Sequence, residues 1–178
     1  MGNTTLVEHG IFTERADYRF HVCPTVKMVY LYKRSDVLDL LKKRRYFPAT
    51  VWTYIHETKV CTAQGYLVPV SHIPNLRIFP IPTRLLQKYP ITKDQTTSEK
   101  GRMAEEIVRE MLRLGIIPLP HLFTAMPTTE QNIQGVDLLL STIQTAQIKC
   151  DFDGGHSVLG GTGNLFIQTH ECNPYGLF

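Results

Sequence analysis

The segment from Thr96 to Gly115 constrains the fold more than any other part of the chain. Thr96 and Glu99 have the spacing of a capping box, in which each side chain takes up a backbone N–H that the first helical turn leaves free. Gly115 supplies the stop. At 100° per residue, Met103, Ala104, Ile107, Val108, Met111, Leu112 and Leu114 fall on one face, with Arg102, Glu106, Glu110 and Arg113 broadly opposite. The spacing therefore predicts a helix over 97–114 that must pack on a second layer. Glu105 breaks the pattern, since it sits at the border of the apolar arc, beside Val108 and Leu112 in projection.

Short apolar stretches follow. Residues 116–119 and 136–140 read as strands, the second interrupted by Asp137, with a polar, proline-containing loop over 120–134 between them. Residues 145–150 alternate: Thr145, Gln147 and Lys149 face one side, and Ala146, Ile148 and Cys150 the other. A glycine-rich turn and a last strand over 164–170 complete this half. In the N-terminal half, residues 18–23 and 27–32 form a hairpin about Pro24-Thr25. Ser35 is a good N-cap for a helix over 36–45, whose basic end, Lys42 to Arg45, suits the C-terminal dipole. Prolines are dense from 46 to 90, which predicts irregular, strand-poor structure with short extended pieces at 51–55 and 65–70.

The chain has 178 residues, 43% hydrophobic and 20% charged, which suits one domain spanning 1–178. No apolar run is long enough for a transmembrane helix. The first residues lack a basic segment followed by an apolar one, so no secretory signal is expected. The four cysteines show no C-x-x-C pair and read as reduced thiols of a cytoplasmic protein. Cys150, His156, His170 and Cys172 match no common zinc spacing. The net charge of +3 divides into +7 over residues 1–95 and −4 over 96–178. That asymmetry suits a chain that grips a polyanion with one part and holds a cation with the other.

Glu105, Asp137, Gln147 and Lys149 then form a chemical set. Gln147 and Lys149 lie two apart on one strand, so they share a face. Asp137 lies on the strand before, close enough in sequence for the two strands to be neighbours, and Glu105 lies on the helix that covers them. Two carboxylates and an amide oxygen can hold a hard cation such as Mg²⁺. A lysine beside it can orient or deprotonate an attacking water. Asp151 and Asp153 stand nearby as water-mediated contacts.

This order of helix glutamate (Lys100-Gly101-Arg102-Met103-Ala104-Glu105), strand aspartate (Gly135-Val136-Asp137-Leu138) and Gln147-Ile148-Lys149 resembles the PD-(D/E)xK, or restriction-endonuclease-like, nuclease superfamily. It is similar to the Gln-x-Lys variants, among them some intron-encoded homing endonucleases, and to the Holliday-junction resolvases. The resemblance covers residues 96–170. It implies an α/β fold with a mixed sheet flanked by helices, and Mg²⁺-dependent endonuclease activity on DNA, with Mn²⁺ as a substitute. Asp137, Gln147, the carbonyl of Ile148 and Glu105 would ligate the metal, and Lys149 would position the water. A symmetric homodimer is the simplest way to cut both strands.

Residues 96–178 supply too thin a core alone, while residues 10–32 look like the segment that follows the Gln-x-Lys strand in such nucleases. The expectation is a circularly permuted fold, with 10–45 completing the core begun at 96 and 46–95 as an accessory segment. Arg15, Arg19, Lys42, Lys43, Arg44 and Arg45 are the expected DNA-backbone contacts. A neutral Gln147 also suits a second class of function, a non-catalytic DNA-binding or assembly module on the same fold.

Overall fold

A computed structural model describes residues 5–55, 57–120 and 127–173. In chain order its elements are strands β1 (Thr5–Glu8), β2 (Tyr18–Cys23) and β3 (Met28–Lys33), helix α1 (Arg34–Lys43), strands β4 (Phe47–Ile55), β5 (Thr58–Pro69) and β6 (Arg77–Pro80), helices α2 (Thr83–Lys88), α3 (Thr97–Arg113) and α4 (Thr129–Ile133), and strands β7 (Leu138–Leu139), β8 (Thr145–Cys150) and β9 (Asn164–Asn173). The protein is a mixed α/β structure with two sheets. One has the order β6-β3-β2-β8-β7, the other β1-β9-β5-β4.

The five-stranded sheet joins the two ends of the chain. β2 and β3 form the antiparallel hairpin, and β2 lies parallel to β8. Alternation then sorts the side chains. Phe20 and Val22 of β2, Val29 and Leu31 of β3, and Ala146 and Ile148 of β8 face α3, where Ala104, Ile107, Val108, Met111 and Leu112 meet them. Burying each such aliphatic side chain contributes about 1.5–3 kcal/mol before entropy is counted. Helix α3 starts with the capping box on Thr96 and Glu99. The opposite sheet face presents Tyr30 and Tyr32 to a second core with Val37 and Leu40 of α1, Val68, and Leu165 and Ile167 of β9.

Several elements differ from the sequence expectation. Residues 116–119 form no strand; the N–H groups of Ile116 and Ile117 both donate to Met111 O and close the end of α3. Helix α1 begins at Arg34, with Lys33 at the N-cap and no side-chain cap, so Ser35 lies inside it. The proline-dense segment contains the long β4–β5 hairpin rather than strand-poor structure. Pro48 lies on β4, the sheet's edge strand, and Pro69 is the last residue of β5; both positions tolerate a missing N–H. Cys61 is disulfide-bonded, against the expectation of four reduced thiols, while Cys23 and Cys150 are free. Among the described residues no helix is long and apolar enough to cross a membrane.

Candidate active site

The face of β2 and β8 turned away from α3 carries a polar row. In the parallel register Arg19 stands beside Gln147, and His21 beside Lys149. The four-stranded sheet covers this face, so Arg19, His21 and Gln147 are each under 5% exposed. Buried charge at such positions persists only when it is paired. The partner is Glu14, from the loop before β2, which is itself 2% exposed. Its Oε2 lies 2.9 Å from Arg19 Nη2, and its Oε1 lies 3.7 Å from Lys149 Nζ. Arg19 Nη1 donates to Gln147 Oε1, and the Gln147 amide hydrogen-bonds the Glu14 carboxylate. Burial alone would raise the Glu14 pKa, but Lys149 and Arg19 outweigh it and hold the carboxyl below its ordinary value.

Asp137 occupies the edge of the same sheet. Strand β7 pairs only with Thr145 and Ala146 of β8, so the ladder stops short of Ile148. The Asp137 carboxylate continues it: Ile148 N–H donates to Asp137 Oδ2 at 2.6 Å, and Asp137 N–H donates to Ala146 O. Arg109 of α3 donates to the Asp137 carbonyl at 3.0 Å. Glu105, one turn earlier on α3, is half-buried. Burial raises its pKa first, and the charge of Asp137 raises it further. Burial likewise raises the Asp137 pKa, with Glu14 adding to the shift and the Ile148 N–H and Lys149 opposing it. Asp137 thus stands between the other two carboxylates: its charge bears on Glu105, and the charges of Glu14 and Lys149 bear on it. Glu105 and Asp137, which lack a direct ion pair like that of Glu14, are kept reluctant to ionise unless a cation joins them.

Of the residues expected from sequence, Asp137 acts electrostatically on Glu105, and Lys149 acts on Asp137. Gln147 adjoins them in a different role. Its Oε1 already accepts from the Arg19 guanidinium, so the oxygen expected to face a metal faces a protein cation. Ile148 is buried against α3, and its backbone N–H holds Asp137. Arg19 is no exposed DNA contact, since the four-stranded sheet covers it. Arg15 is exposed, as are Lys42, Lys43, Arg44 and Arg45 at the end of α1, where Arg44 meets His72 at 3.3 Å. Arg44 and Arg45 line a separate surface depression together with Tyr46, Phe47 and His72. Asp151 faces His21 at 3.3 Å and accepts from Phe166 N–H, and Asp153 accepts from Thr25. Glu14 and its ion pair were not expected from the sequence; no periodicity marks a loop glutamate, and only the Glu14-Arg15 acidic–basic step hints at it.

Among the described residues no three His, Cys, Asp or Glu side chains converge closely enough to hold a metal ion by themselves. Glu105 and Asp137 still match the way Mg²⁺ is commonly held, by one or two carboxylates with waters and substrate phosphate completing the shell. No family model, curated protein or solved structure matches the chain.

Proposed function

We propose that the chain is a metal-dependent DNA endonuclease on a circularly permuted restriction-endonuclease-like fold. The observation that carries the reading is Asp137 at the end of the β7–β8 ladder, where its charge bears on Glu105 and the charge of Lys149 bears on it. Support for the permutation comes from the parallel pairing of β2 with β8, through which residues 10–45 complete the sheet that α3 covers.

On this reading Asp137 and Glu105 hold Mg²⁺ or Mn²⁺, which when bound supplies charge neutralisation to the phosphoryl oxygens. Lys149 orients the attacking water. Glu14 steadies Lys149 from below, and Arg19 and Gln147 steady Glu14, so these three are positioning residues. The exposed bases Lys42 to Arg45 and Arg15 provide phosphate contacts on the protein surface. A homodimer would present two such sites to the two strands.

The engaged amide of Gln147 favours a second reading, a DNA-binding or assembly module that no longer cuts. Incubating plasmid, linear duplex and branched DNA with Mg²⁺ or Mn²⁺ separates the two. Metal-dependent cutting that disappears in Asp137→Ala supports the nuclease. Salt-sensitive DNA binding with no cutting of any substrate supports the module.

A further inference from the structure

A cavity of about 540 Å³ is lined by Lys149 and its neighbours Ile148, Cys150 and Asp151. We infer that it is a subsite for one unpaired nucleotide of a DNA strand, an inference that rests on the nuclease reading above. The cavity is walled by β2 and β8 of one sheet and β5 and β9 of the other, with the N-terminal turn of α3 at its rim. Its volume lies in the range of small-ligand sites. It has room for a single nucleotide and none for a duplex.

The wall chemistry matches the parts of a nucleotide. Lys100 at the rim supplies positive charge for the phosphate, and the buried guanidinium of Arg19 adds to the positive field of the wall. Among the described residues, Arg19 Nε is buried with no hydrogen-bond partner, so the guanidinium is not fully satisfied by Glu14 and Gln147. Two acids also line the cavity. Asp151 is committed within the wall to His21 and to Phe166 N–H, and Glu171 is partly exposed and 3.9 Å from His9. Val51 and Ile167 offer apolar surface to a base face, and Thr62 and Gln168 offer polar groups to its edge. Because Lys149 borders both the cavity and the carboxylates, a nucleotide seated there leaves its neighbouring phosphate beside the reacting centre. Substrates with unpaired nucleotides, such as branched or mismatched DNA, are then preferred over perfect duplex.

The test uses the intact ¹⁵N-labelled protein without metal, titrated with thymidine 5′-monophosphate and with the tetranucleotide (dT)4. The expected result is movement of the Lys149, Cys150 and Gln168 amide signals with both probes, and binding of the tetranucleotide at least as tight as that of the mononucleotide. Ala63→Leu, which fills the cavity, and Lys100→Glu, at its rim, should each weaken binding about tenfold. Lys100 is half-exposed on the first turns of α3, so that variant keeps the test decisive if Ala63→Leu fails to fold. Absence of movement at those amides, equal affinity in wild type and Lys100→Glu, or a mononucleotide bound where the tetranucleotide is excluded would each overturn the inference. Neither metal nor cleavage enters the measurement. A protein that cuts DNA but fails it loses only the subsite; one that binds the probes but never cuts DNA loses the nuclease.

Discussion

Glu14 and Lys149 come from opposite ends of the chain and meet at 3.7 Å, with Glu14 buried and paired to Arg19 on its other oxygen. A buried carboxylate between two cations is expensive to disrupt from one side. Glu14→Gln should destabilise the fold by about 3–5 kcal/mol, because Arg19 is left as an uncompensated buried charge. Replacing both residues together, as Glu14→Leu with Arg19→Met, should cost less than the single change, since no lone charge remains. Urea denaturation of the three proteins checks this; a double variant less stable than Glu14→Gln would contradict it.

The carboxylates of the cluster predict opposite pH dependences. Glu14 is held below its ordinary value of 4.5, so its stabilising contribution is full above that value and is lost as the pH falls through the lower folded-state value. Asp137 is raised above 3.8 by burial, so its ionised form weakens the fold at neutral pH. Asp137→Asn, which can still accept from Ile148 N–H, should therefore raise stability at neutral pH. The gain should shrink as the pH falls from the raised value toward 3.8 and vanish below it. Denaturation curves of wild type and variant across that window give the sign directly.

Part of this arrangement was legible in the sequence. Helix α3, its capping box and its apolar face depend on near neighbours, and so do the β2–β3 hairpin and the alternation that puts Gln147 and Lys149 on one face. What could not be read were the consequences of long-range pairing. Arg19 reads from the sequence as a DNA contact near the active face of the permuted fold, yet the second sheet covers its face. Glu14 gained its meaning only when β2 lay down beside β8. Prolines 48 and 69 suggested irregular structure because their positions, one on an edge strand and one at a strand's end, are set by sheet order and not by composition.

Gly135 offers a test of the cluster through the backbone. Its φ is +80°, and a Cβ there would lie 2.7 Å from Glu14 Cγ and 2.9 Å from Gln147 Nε2. Gly135→Ala should cost about 1–3 kcal/mol from the strained conformation alone. It should also slow cleavage by displacing Glu14, and with it Lys149. Thermal melts and cleavage rates measured on the same preparation check both effects.

Divalent cation should stabilise the folded protein by relieving the repulsion between Asp137 and Glu105. At a hundredfold excess over its dissociation constant the gain is about 2.7 kcal/mol. The expected outcome is a rise in melting temperature with Mg²⁺ or Mn²⁺ that EDTA reverses and that Asp137→Asn lacks. An equal rise in both proteins would place the cation elsewhere.

The most direct measurement of the central claim compares DNA cleavage and DNA binding in wild type and Lys149→Ala, with Mg²⁺, on branched and duplex substrates. If Lys149 acts on the attacking water, the variant should cut about 10²–10⁴-fold more slowly while its affinity for DNA stays nearly unchanged. Undiminished cleavage by Lys149→Ala, or a wild type that binds DNA and cuts none of it, would contradict the account.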